Sequence, residues 1–191
     1  MGPAIIKKMR AWDLKRLKAI AHHEAGHAVA RWWLGLRFRD ASIIPNSDEG
    51  TLGHVLSCHM PKWFDPESTI SPRVRLRIEK EIISSFAGQI AQAKFLGRKP
   101  RYGMHADNEG AVDIATYVAS GETLNAFLHF LFLRSRDLVH AKWREIECVA
   151  EALISGRRLM YKDLIQVIDR GLNLPPFPAL KQTRRGRASV M

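Results

Sequence analysis

Residues 12 to 34, WDLKRLKAIAHHEAGHAVARWWL, contain no proline and are followed at once by Gly35. A stretch of that length and composition predicts one long helix that stops at the glycine. Helical spacing then places His23 and His27, four residues apart, one above the other on a single face. Glu24 follows the first histidine and projects beside the pair, while His22 falls on another face. Gly26 lies mid-helix, where glycine costs roughly 1 kcal/mol relative to alanine. A neighbouring element pressed close against it would explain its presence.

Two imidazoles at i and i+4 with a glutamate after the first suit a zinc ion. The histidines hold the metal and the glutamate takes a proton from water at it. The plain alternative is an amphipathic helix with incidental histidines and a solvated glutamate. His23 and His27 would then sit among Ile20, Val29, Ala30 and Leu34, and a metal gives buried imidazoles a use. A catalytic zinc takes a third protein ligand and keeps one position open. A third histidine six residues after His27 fails, because that residue is Trp33. Glu79 and Glu81 on a later helix are candidates by distance, and His54, His59 and His105 are looser ones. Spacing alone chooses none of them.

The remaining pattern is mostly helical. Ala41 to Ile44 and Thr51 to Ser57 read as short strands around the polar turn Pro45 to Gly50. Ser71-Pro72 supplies an N-cap serine with proline at the first helical position, and that helix runs to Gly97. After the loop GRKPRYGMH, another helix begins at Asp107 or Asn108 and ends near Ser120-Gly121. Residues 122 to 155 form the longest helical pattern, stopped by Gly156, and YKDLIQVIDRG makes a last short helix. The expected fold is mainly α with one small β-hairpin or sheet. Its organisation is a basic N-terminal arm (1–11), one domain (12–173) and a flexible, proline-containing basic tail (174–191).

The formal net charge of +11 is concentrated at the ends. Residues 1 to 18 carry Lys7, Lys8, Arg10, Lys15, Arg16 and Lys18 against Asp13, and the tail adds Lys181, Arg184, Arg185 and Arg187 with no acid. The body is left nearly neutral, which argues against a nucleic-acid-binding face on the folded part. Cys58 and Cys148 make no disulfide framework and read as reduced thiols. Neither a signal peptide nor a run long enough for a membrane helix is evident, so a cytoplasmic protein is expected. No GxxxxGK[ST] phosphate loop is present, so ATP hydrolysis by that device is excluded.

Several segments together resemble the peptidase domain of FtsH-type ATP-dependent zinc metalloproteases. AHHEAGHAVA resembles that family's helix, which commonly reads HEAGHA. ASIIPNSDEGTLGHVLS, SFAGQIAQAKFLG and IECVAEALISGRRLMYKDL resemble its following segments. GMHADNEGAVDIA resembles the segment GASNDLEKATEIA, with Asp107 on the family's ligand aspartate and Ala111 and Ala115 on the two helix alanines. The resemblance therefore implies His23, His27 and Asp107 as zinc ligands and Glu24 as general base. Asp113, in GAVDIAT, is the competitor, but it loses the alanines and needs a deletion. The family's acidic pair is replaced here by Gln89, Gln92 and Lys94. Only ten or so residues stand where the family has its ATPase and membrane segments, so a stand-alone relative is expected.

What the resemblance implies is a zinc-dependent endopeptidase acting on unfolded segments or one specific protein partner. A separate ATPase or further copies of the chain are its implied partners. An edge strand, Ala41 to Ile44 or Thr51 to Leu56, could pair with an extended substrate. The rival is a non-catalytic, zinc-stabilised scaffold whose basic tails bind nucleic acid or an acidic partner.

Overall fold

The computed structural model describes residues 11–45, 52–98 and 105–173. The terminal tail, residues 1–10 of the N-terminal arm and most of the polar turn lie outside them. The expected fold class is what the structure shows: six helices and a single three-stranded sheet among the described residues. Helix α1 (Ala11–Trp33) leads into β1 (Phe38–Ser42) and β2 (His54–Ser57). Helices α2 (Pro72–Leu96), α3 (His105–Ala115), α4 (Gly121–Ala141) and α5 (Trp143–Gly156) follow, then β3 (Arg158–Met160) and α6 (Tyr161–Asn173).

Helix α1 is the central element and packs against α2, α5 and the sheet. Its alanines Ala21, Ala25 and Ala28 are fully buried, and their small size lets neighbouring backbones approach. Gly26 shows how close the approach is. A Cβ there would stand 2.6 Å from the Ala87 carbonyl oxygen and 2.8 Å from the Ala91 Cβ. Helix α2 begins and ends as its sequence signals suggest. The Ser71 side chain accepts the Val74 N–H (3.2 Å), Pro72 opens the first turn, and Gly97 closes the last in the left-handed region at φ 67°. Ile78 and Ile82 of α2, Leu131 of α4, Ile146 and Leu153 of α5 and Leu164 of α6 complete the core around α1.

Four sequence expectations are corrected. The first strand lies earlier than Ala41 to Ile44, and it is the central strand, antiparallel to β2 on one side and β3 on the other. With both sides paired, β1 offers no edge to a substrate; among the described residues β2 does. Arg158–Met160 is too short for its pattern to announce a strand, and pairing with β1 makes it one. The pattern over 122–155 is two helices broken at Lys142 (φ −105°, ψ 23°), which closes α4 by donating its N–H to Leu138 O. No glycine or proline marks that break, so the sequence carried no sign of it. Finally, α3 ends at Ala115, and Ser120 instead begins α4 through a reciprocal cap with Thr123.

Gly156 remains helical, and Arg157 takes the left-handed conformation at φ 67°. This is costly for a residue with a Cβ. Tertiary bonds hold it: its carbonyl accepts the Ile43 N–H at 2.9 Å and the Ser42 hydroxyl at 3.4 Å. The two cysteines are free, Cys58 exposed and Cys148 buried. No described helix is long and apolar enough to cross a membrane.

Candidate metal centre

Helix α1 presents His23 and His27 with their Nε2 atoms 3.1 Å apart. The first turn of α3 brings Asp107 to the same point, with Oδ2 3.1 Å from His23 Nε2 and 3.3 Å from His27 Nε2. These three residues are the group among the described residues whose ligand atoms converge as a metal site requires. Asp113, two turns further along α3, is exposed and lies near Tyr117.

The local chemistry at these atoms suits a cation. His27 Nδ1 lies 2.7 Å from the Ser84 carbonyl oxygen of α2. A carbonyl only accepts, so Nδ1 carries the proton and a neutral ring presents its Nε2 lone pair to the other two groups. A carboxylate oxygen and an imidazole nitrogen already face that lone pair, so a neutral ring has no proton to give the buried Asp107 Oδ2. Three ligands at zinc's usual bond lengths, arranged tetrahedrally, stand about 3.3 Å from one another. The triangle has those dimensions, and two imidazoles with one carboxylate are a suitable donor set. The residues fit zinc.

Without metal, a proton answers the same crowding. Burial alone would lower the His27 pKa, but the charge and hydrogen bond of Asp107, the charge of Glu24 and the Ser84 carbonyl outweigh it and raise it to about 9. Burial likewise works to raise the Asp107 pKa, yet the two imidazoles outweigh it and hold the carboxyl well below the usual range. A raised histidine pKa stabilises the fold fully below pH 6.5, and that contribution disappears as pH rises through about 9. Metal-free protein is therefore expected to melt at a lower temperature at pH 9 than at pH 6.5. Thermal unfolding in EDTA checks this, and an unchanged or rising melting temperature would contradict it.

Glu24 lies beside the triangle, 6 % exposed. Burial raises its pKa, His23 and His27 oppose that, and Asp107 adds to it. The chain entering β2 covers it: a Cβ on Gly53 would stand 2.6 Å from Glu24 Oε1 and 2.8 Å from its Cγ. Glycine at 53 therefore lets the sheet edge lie directly against this carboxylate.

Of the other candidate ligands, Glu79, Glu81 and His54 are engaged elsewhere. Glu81 receives Arg31 (2.6 Å) and Arg77 (2.6 Å) in a buried network on the far side of Ser84, and Glu79 pairs with Arg75. His54 lies 3.4 Å from Asp40, a buried carboxylate that also meets Arg39 and Arg158. His59 is exposed. His105 opens α3, and its side chain lies outside what the structure describes. His22 stacks on Phe95, ring centroids 4.1 Å apart, and its Nδ1 donates to Lys18 O at 2.7 Å.

Sequence reading missed the residues that shape the site from α2. Ser84 orients His27 through a backbone carbonyl, which no side-chain pattern reveals. Gly88 makes room for the ring: a Cβ there would overlap His27 Nε2 and stand 2.6 Å from Cδ2 and Cε1. A mid-helix glycine was the available signal, the same one that marked Gly26. No family model matches the chain, and no curated protein matches it.

Separate replacement of the two α3 aspartates tests the third ligand. Asp107→Asn is expected to weaken zinc binding on the order of 100-fold or more, beyond the usual cost of losing a supporting group. Asp113→Asn is expected to bind as the parent does. Equilibrium titration against a chelating dye reads both, and the reverse result would move the ligand to Asp113.

Proposed function

We propose that the protein is a zinc-dependent metalloendopeptidase, resembling the peptidase domain of FtsH-type proteases. The observation that carries this reading is the triangle of His23 Nε2, His27 Nε2 and Asp107 Oδ2 with buried Glu24 beside it. Bound there, zinc supplies Lewis acidity for a peptide carbonyl and brings the pKa of water near 7. Glu24 accepts a proton from the attacking water and passes it to the departing amine, a shuttle that needs an unpaired carboxylate at the site. Its shielding from bulk solvent keeps that proton local.

An extended substrate backbone pairs with the free edge of β2, the strand whose entry at Gly53 touches Glu24. Backbone pairing is indifferent to substrate side chains and needs an unfolded segment. Unfolded stretches, or one partner that presents such a stretch, are the substrates this geometry favours. A separate ATPase would be one means of supplying them.

Metal content by mass spectrometry, read alongside casein cleavage, tests the proposal. One zinc per chain with chelator-sensitive cleavage is expected. Zinc at one per chain without cleavage of any unfolded substrate would leave a zinc-stabilised interaction protein instead.

A further inference from the structure

Helix α3 fully buries Ala111 and Ala115, both beyond its first turn. In the first turn Asp107 and Asn108 are half-buried and Glu109 and Gly110 are exposed, so no apolar side chain described there anchors it. A polar contact from α2 does. Gln89, 8 % exposed, donates from Nε2 to Asn108 Oδ1 at 2.6 Å. Gln89 directly follows Gly88, over which the His27 ring lies. One stretch of α2 thus orients His27 through Ser84, makes room for it at Gly88 and grips the residue next to Asp107.

We propose that the Gln89–Asn108 hydrogen bond is a positioning clamp that holds Asp107 within ligand distance of His23 and His27, so that the site is set before a metal arrives. The inference rests on the zinc reading above. Ordering a helix turn and a carboxylate at the moment of binding opposes affinity, and a preformed contact removes that cost. Both clamp partners are neutral amides, so they fix the position of Asp107 without competing for its charge. The bond is short and one partner is buried, which keeps water from replacing it. A strap that merely fastens α3 to α2 would stabilise the fold equally with and without metal; a clamp acts on metal affinity.

The full chain, Gln89→Leu, Asn108→Ala and the double variant are titrated with zinc against a chelating dye, and each is melted in EDTA. Cobalt(II) spectra of all four report the ligand set. Each single variant is expected to weaken zinc about 10–100-fold. The double variant is expected to be no weaker than the worse single, because one shared bond is lost only once. Metal-free melting temperatures stay close to the parent's, and the cobalt spectra of the variants depart from it. Unchanged zinc affinity in the singles, additive losses, or losses matched by an equal fall in metal-free melting would overturn the clamp. If Gln89→Leu does not fold, Asn108→Ala on the half-buried partner decides alone. A parent chain that binds no zinc would overturn the metal reading itself, a result distinct from a zinc-binding parent with indifferent variants.

Discussion

Alanine at position 88 is expected to leave the protein unable to hold zinc at the parent's affinity, although residue 88 is no ligand. The added Cβ would overlap the His27 ring. A ring on a long surface side chain could swing aside, but this one is fixed from both ends. Its Nδ1 is tied to Ser84 O at 2.7 Å, and its Nε2 meets His23 and Asp107 within 3.3 Å. Relief must come from breaking that geometry or from separating α1 and α2. Separation would give up the close packing at Gly26, where the helices meet at Ala87 and Ala91. Zinc affinity should fall on the order of 100-fold or more, as for loss of a ligand. Overpacking should also destabilise the metal-free fold by about 1–3 kcal/mol. Zinc titration and thermal unfolding in EDTA read the two effects separately. Parent-like zinc affinity would mean that the ring can relocate and still ligate, and the packing argument would fail.

Glu24→Gln should produce the opposite separation: zinc binding kept, hydrolysis lost. The amide has nearly the carboxylate's shape, so it fits beneath Gly53 and leaves the histidines in place. It cannot accept and return a proton, and loss of a positioned general base costs about 10²–10⁴-fold in rate. Burial opposes the charged form of Glu24, so a neutral side chain there should not weaken the metal-free fold. Casein cleavage and metal content, measured on the same preparation, give the two readouts. A variant that keeps zinc and cleaves at the parent's rate would remove Glu24 from the chemistry.

Much of the helical framework was legible because its signals are local. The breaker-free run before Gly35 marked α1, and Ser71-Pro72 with Gly97 marked both ends of α2. Gly26 also carried legible information, since a mid-helix glycine is costly unless something presses against it, and α2 does. The break at Lys142, the end of α3 at Ala115 and the left-handed Arg157 were not legible. At Arg157 a tertiary contact, and after Ala115 the cap that opens α4, override residues that favour another local structure, while the break at Lys142 has no breaker residue to mark it.

The same division runs through the site. Spacing determined that His23 and His27 share a helix face with Glu24 beside them, because a helix turns by a fixed angle at each residue. It could not choose among Asp107, Asp113, Glu79 and Glu81, since a ligand brought from another helix has no fixed separation along the chain. Resemblance pointed to Asp107; the folded chain brings its Oδ2 to the two imidazoles and occupies Glu81 with two arginines. Ser84, Gly88 and Gln89 acquire their roles only once α2 lies against α1 and α3. By itself the sequence determined which groups can bind a metal and move a proton. Tertiary packing decided which of them meet, because convergence of distant groups depends on how close two backbones can come.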